Sequence, residues 1–243
     1  MNEGSEPNIS VPAAAEIVSF SDVHLNRNGS YIRRKREFIS AIFSHPGICL
    51  YVINGDLADN QFGRPEKIIA ANRSTFDMIA DHNVLFLEGN HDPFEWWDGS
   101  LDRFIPPERQ FKKALIRVGS TLISTEHGNV IQPALHERLP WLPRTPLFGY
   151  VGLYGGTLLR VILRDYFKLR ATFLPDNTHI FNCAEDHLPA GVWGMFGHTH
   201  NAEVAKRCSG GLLLNTGSIG TAKAEYAILN ERSATHYTLH PEP

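Results

Sequence analysis

Short apolar, β-branched runs recur along the chain and stop abruptly in polar clusters. "EIVSF" is followed by "SDVHL", "ICLYVI" by "NGDLADN" and "VLFLE" by "GNHD"; later, "STLIST" gives way to "EHG", "VWGMF" to "GHTH" and "LLLN" to "TGS". Runs of this length and composition predict strands that end where the polar residues begin. Between the first three runs the apolar spacing becomes helical. Tyr31, Ile32, Phe38, Ile39, Ile42 and Phe43 share one face of 30–44, and Ile69, Phe76, Ile79 and Ala80 share one face of 65–81, where Pro65 suits a first turn. The resulting βαβαβ order predicts a largely parallel first sheet.

The later half reads differently. "KALIRV-GS-TLIST", "AEVAKRC-SGG-LLLN" and "AEYAIL-NERS-ATHYTLH" are strand pairs around short turns, which predict hairpins and a second, mixed or antiparallel sheet. Two sheets face to face with helices outside give an α/β fold, a four-layer α/β/β/α sandwich of two mixed sheets. Residues 129–190 break the rhythm, being proline-rich early, apolar and glycine-rich in the middle, and helical around "TLLRVILRDYFKLR". They are expected to form a helical, cap-like insertion in a single domain spanning 16–243, with 1–15 a flexible N-terminal tail.

With 243 residues and 42% apolar content the chain can bury a sizeable core, so a compact soluble protein is expected. Its 23 basic and 26 acidic residues leave a net charge of −3, and no chain-wide basic excess indicates nucleic acid. Cys49, Cys183 and Cys208 form no disulfide framework or metal pair and read as buried thiols in a reducing compartment. The opening residues lack the pattern of a signal peptide. "PLFGYVGLYGGTLL" (146–159) is broken by glycines and shorter than the ~20 apolar residues needed to span a bilayer. A cytoplasmic location is expected, and the apolar surface of that segment is compatible with a homo-dimer or with peripheral membrane contact. The run "RRKR" (33–36) reads as a solvated helix surface, with an anion-binding patch second.

In open α/β sheets, ligands bind just outside the carboxyl ends of the strands. Five of the six polar clusters gather Asp22, His24, Asp56, Asn90, His91, His127, His198 and His200 at such ends. Imidazole, carboxylate and amide oxygen together suit Mn²⁺, Fe or Zn²⁺ better than Ca²⁺, which prefers an all-oxygen shell. They are too many for one tetrahedral ion. Two divalent ions sharing a carboxylate would use them, as in two-metal phosphoryl chemistry.

The blocks "SDVHL", "GDLADN", "GNHD", "EHG" and "GHTH", in this order from about residue 17 to about 220, resemble those of the calcineurin-like metallophosphoesterases. The resemblance implies the α/β/β/α metallophosphoesterase fold and two divalent ions, with Mn²⁺ the first candidate and Fe or Zn²⁺ the alternatives. It implies that Asp22, His24 and His200 ligate one ion, that Asn90, His127 and His198 ligate the other, and that Asp56 bridges. His91 is then the non-ligand histidine that stabilises phosphoryl charge and protonates the leaving oxygen, with Asp92 orienting it. The implied activity is that of a phosphodiesterase or phosphatase, hydrolysing a phosphate ester or pyrophosphate bond of a small-molecule or lipid-linked substrate through metal-bound hydroxide. One alternative is the UDP-2,3-diacylglucosamine hydrolase branch, which commonly has arginine where this chain has His91. Another is a non-catalytic protein-binding scaffold on the same fold, where eroded ligands are the rule. Asp59 and Asn60 fit the family's "GDxxDN" form, and loop capping by an Asx side chain explains them equally. "NTGS" (215–218) reads first as a tight turn and second as a phosphate contact, and Arg64 as a third anion-binding candidate.

Overall fold

Successive side chains of "ICLYVIN" face opposite sides of a sheet. Leu50 and Val52 enter one buried cluster and Tyr51 and Ile53 another, so this strand is covered on both faces. The computed structural model describes residues 7–27, 29–60, 63–131 and 176–241. In chain order the elements are β1 (Asn8–Val11), β2 (Glu16–Phe20), α1 (Gly29–Phe43), β3 (Ile48–Asn54), α2 (Pro65–Ala71), α3 (Arg73–Ala80), β4 (Val84–Leu87) and the one-turn α4 (Phe94–Trp97). There follow β5 (Gln110–Phe111), β6 (Lys113–Val118), β7 (Thr121–Glu126), α5 (Asn177–His187), β8 (Trp193–Phe196), β9 (Glu203–Lys206), β10 (Leu212–Asn215), β11 (Ala224–Leu229) and β12 (Ala234–Leu239).

Two six-stranded mixed sheets result, in the orders β12-β11-β2-β3-β4-β5 and β1-β6-β7-β8-β10-β9. Ile17, Leu50, Val52, Leu85 and Leu87 of the first sheet meet Ile116, Ile123, Met195 and Leu214 of the second in the central core. On the outer face of the first sheet, Phe38, Ile39 and Ile42 of α1 and Phe76 and Ile79 of α3 pack against Val18, Phe20, Ile53 and Phe86. On the outer face of the second, Ile180, Phe181 and Ala184 of α5 cover Phe196 and Leu213. These are the four expected layers.

Several details depart from the expectations. Residues 8–11, within the expected tail, pair in parallel with β6 because Ile9 and Val11 can reach the central core from there. The hairpin β11–β12 extends the first sheet instead of the second, pairing antiparallel with the edge of β2. The expected second helix is split at Asn72, whose side-chain amide donates to Ile68 O and Asn26 O. Within "RRKR" the side chain of Lys35 is buried while Arg33, Arg34 and Arg36 are exposed. None of the cysteines is buried: Cys49 and Cys183 are intermediate, and Cys208, at the start of the β9–β10 turn, is exposed. Of the expected insertion, 177–187 supplies the outer helix of the second sheet, its N-terminus capped by Asp176. Residues 132–175, including the apolar stretch and the helix expected there, lie outside the described residues, as do 1–6 of the tail. No helix among the described residues is long and apolar enough to cross a membrane.

Candidate metal centre

The parallel pairings β2–β3–β4 and β7–β8–β10 bring six strand ends to one edge of the sandwich. There the loops after β2 and β3 run side by side, with Asp22 N donating to Gly55 O (3.1 Å), His24 N to Asp56 O (2.9 Å) and Leu25 N to Leu57 O (2.9 Å). Asp22, His24, Asp56, His198 and His200 all adopt left-handed backbone conformations, with φ between 51° and 70°. Asp98 is the one other non-glycine residue among those described to do so. Such geometry clusters where surrounding structure fixes a functional side chain.

Asp22, His24, Asp56 and His127 each have one polar atom held by the chain and another turned into the cleft. Asp22 Oδ2 accepts from Ser21 Oγ (2.6 Å) and His198 N (2.9 Å), while Oδ1 is buried without a hydrogen bond. Asp56 Oδ1 accepts from His91 N at 2.8 Å. His24 Nδ1 lies 2.8 Å from Asp59 Oδ1, leaving Nε2 buried without a hydrogen bond. His127 Nδ1 is 2.7 Å from Asn54 O, so that nitrogen carries the proton and Nε2 is again left without one. Asn90 is buried and its Oδ1 makes no hydrogen bond.

These atoms converge. Asp22 Oδ1 lies 3.1 Å from His200 Nε2 and 3.9 Å from His24 Nε2, and Asp56 Oδ2 lies 3.2 Å from His127 Nε2 and 3.9 Å from His24 Nε2. Among the described residues, three groups have ligand atoms close enough for one cation: Asp22, His24 and His200; His24, Asp56 and His91; and Asp56, His127 and His198. At 3.2 Å, His127 Nε2 and Asp56 Oδ2 need positive charge between them, either a proton on the ring or a cation. The residues therefore fit divalent cations, and the chain's own electrostatics show the same demand. Burial opposes a charge on His127, yet the Asp56 carboxylate lifts its pKa to about 10. Burial alone would raise Asp22, but the charge and hydrogen bond of His200 together with the charge of His127 outweigh it and hold the carboxyl below the ordinary range.

His91 stands edge-on to His24, ring centroids 4.6 Å apart. Its Nδ1 is 3.2 Å from Asp59 Oδ1, the oxygen that also meets His24. Burial lowers the His91 pKa, but Asp56 and then Asp59 raise it to about 9. Asp92 is placed differently from the expectation. Its Oδ1 accepts from Asp56 N (3.2 Å) and Gly89 N (3.1 Å), and its Oδ2 from Ala58 N (3.0 Å). It ties the loops after β3 and β4 together, and the carboxylate at the His91 ring is that of Asp59. "GDLADN" held the signal for Asp59, while Ser21 and Asn54, which open "SDVHL" and "NGDLADN", carried no sign of their supporting roles. The "NTGS" turn buttresses Asp22, because Ser21 Oγ lies 2.8 Å from both Gly217 O and Thr216 Oγ1. Asn90 and His127 also line a cavity of about 270 Å³, together with Glu88, Trp96, Lys112 and Val130.

Residues 15–202 match the calcineurin-like phosphoesterase family. No curated protein sequence matches the chain. Among solved structures, a hypothetical protein from Pyrococcus horikoshii is 12% identical, with a TM-score of 0.54 over 94% of this chain and 88% of that one. An archaeal phosphodiesterase is 12% identical, with a TM-score of 0.49 over 92% and 99% of the two chains. A dimetal phosphatase from Danio rerio is 9% identical, with a TM-score of 0.46 over 93% and 96%. At these identities the likeness to the Pyrococcus protein is one of fold.

Proposed function

We propose, for a chain that belongs to the calcineurin-like phosphoesterase family and is therefore a hydrolase of phosphoric esters, that its cleft is a dinuclear centre hydrolysing a phosphate ester or pyrophosphate bond. Asp22, His24 and His200 would hold one divalent ion, Asn90, His127 and His198 the other, and Asp56 both. The observation that carries this reading is the set of buried ligand atoms without hydrogen bonds, Asp22 Oδ1, His24 Nε2, Asn90 Oδ1 and His127 Nε2, each on a residue the resemblance marks as a ligand. Mn²⁺ is the first candidate, with Fe or Zn²⁺ next, because the donors mix nitrogen and oxygen. Divalent ions there supply positive charge to the phosphoryl oxygens and lower the pKa of water towards neutrality.

The chain's own contribution is position and a proton. With Nδ1 directed to Asp59, His91 would donate from Nε2 to the leaving oxygen of the ester, and the carboxylates around it favour the protonated ring that such a donor needs. The cavity beside Asn90 and His127 gives the alcohol part of the substrate a place next to the reacting centre.

The test is to strip the protein with a chelator, reload it with Mn²⁺, count ions by elemental analysis and measure turnover of bis(p-nitrophenyl) phosphate, p-nitrophenyl phosphate and a nucleotide-linked pyrophosphate. About two ions per chain and hydrolysis that disappears with the metal are expected. Full activity in the stripped protein, or at one ion per chain, would count against the dinuclear reading. The panel also identifies which bond is preferred.

A further inference from the structure

Lys35 is a buried lysine at the edge of the centre to which the mechanism above gives no work. It lies on α1, 8% exposed, between arginines that face solvent. Its Nζ donates to the carbonyl oxygens of Val23 and, at 3.0 Å, of His24. No carboxylate among the described residues is within ion-pair distance of it. Taking an ammonium out of water is expensive, by several kcal/mol even after relaxation, and methionine would fill the same space without that cost. A buried ammonium that meets only backbone carbonyls points to a demand from those carbonyls.

The loop it touches makes the demand explicit. Residues 22–25 run through left-handed Asp22 (φ 52°) and left-handed His24 (φ 51°) and are almost wholly buried at Asp22, Val23 and Leu25. Buried backbone groups must all be paired. The N–H groups of Asp22, His24 and Leu25 go to the carbonyls of Gly55, Asp56 and Leu57, and Leu25 O accepts from Asp59 N. The carbonyls of Val23 and His24 are both taken by Lys35. The ammonium therefore joins two successive carbonyls of the turn that aims Asp22 and His24 at the cleft.

We propose that Lys35 is a positioning residue for the metal centre, clamping the Asp22–Leu25 turn so that both side chains present their free atoms to a cation. The proposal rests on the reading that Asp22 and His24 are ligands. It makes a prediction opposite in sign to simple electrostatics. Removing a positive charge beside a cation site should tighten metal binding, whereas removing a clamp should loosen it.

The experiment is Mn²⁺ titration by calorimetry of the wild type, Lys35→Met, Lys35→Gln and, as a control, Phe38→Leu, which shortens a core side chain on the same helix. Mn²⁺ binding at least about tenfold weaker in Lys35→Met is expected, the scale on which supporting residues act on metal affinity. Lys35→Gln keeps one donor group and should fall between, and Phe38→Leu should bind as the wild type does. Equal or tighter binding in whichever lysine variant folds overturns the proposal. So does failure of both to fold while Phe38→Leu folds, since Lys35 would then serve the core alone. A wild type that takes up no Mn²⁺ overturns the metal reading itself, whereas normal uptake with unchanged variants overturns only this inference.

Discussion

A left-handed backbone costs a non-glycine residue roughly 1–2 kcal/mol, and five candidate ligands adopt it. The residue types and their spacing were legible in the sequence, because "SDVHL", "GDLADN", "GNHD", "EHG" and "GHTH" bring the donors together at strand ends. Which carboxylate serves which histidine was not. Asp92 follows His91 directly, yet the turn carries its side chain into three backbone amides, and Asp59 arrives from another loop to meet the ring. Replacing His91 by Asn should lower kcat by about 10²–10⁴-fold with metal content retained. The loss should be smaller for a nitrophenolate leaving group, which needs no proton, than for an alkoxide. An equal loss for both would speak for charge stabilisation without proton donation. Asp59→Asn should cost about 10–100-fold in activity and should shift the pH profile. Burial lowers the His91 pKa, while Asp56 and Asp59 raise it, so losing the Asp59 charge leaves the ring with a lower pKa. An acid is lost as pH rises through its pKa, and the alkaline limb of kcat/KM should move to lower pH. A limb that stays in place or moves up would remove Asp59 from this role.

Strands announce themselves locally, and all six that carry the candidate site were legible from short apolar runs ending in polar residues. What those runs could not reveal was partnership over distance. Nothing local in "AEYAIL" states that β11 will choose the edge of β2, a choice made by the two sheets as they pack. Nor does "NISV" advertise β1, which exists because the edge of β6 is available to it. The same long-range closeness makes glycines decisive where elements meet. A Cβ on Gly89, just past β4, would collide with the Asp56 carboxylate and backbone nitrogen, and one on Gly55, itself left-handed at φ 82°, would collide with the His127 ring. Gly89→Ala should therefore displace Asp56 and weaken Mn²⁺ binding together with activity. The expected stability loss is about 1–3 kcal/mol, typical of overpacking a buried site. Gly47 offers a control, being left-handed with open space around the position of a Cβ, so that Ala there strains the backbone without touching the cleft. Unchanged metal affinity in a folded Gly89→Ala protein would show that the two loops can separate without harm.

At the scale of the molecule, the candidate ligands are divided between the two sheets. Asp22, His24, Asp56 and Asn90 follow strands of the first, and His127, His198 and His200 follow strands of the second. Cations held by both would fasten one edge of the sandwich, where the chain places carboxylates and imidazoles instead of apolar side chains. The central core holds most of the rest, each fully buried Leu, Ile or Val contributing about 1.5–3 kcal/mol. Metal binding should therefore appear as stability, since a ligand that binds only the native state shifts unfolding by mass action. At Mn²⁺ about 100 times its Kd, the gain is about 2.7 kcal/mol, which for a chain of this size raises Tm by about 5–10 °C. Thermal unfolding of the wild type with Mn²⁺ and with excess chelator should show that difference. Asp56→Asn, which weakens the proposed bridging ligand, should lose most of it. Because Asp56 stands after β3 and His127 after β7, His127→Ala should lose the part of the shift that comes from the ion it would hold. Retention of the full shift in His127→Ala would assign the stabilisation to the ion of Asp22, His24 and His200, and a chelator effect below about 1 °C in the wild type would show that the cleft contributes nothing to holding the two sheets together.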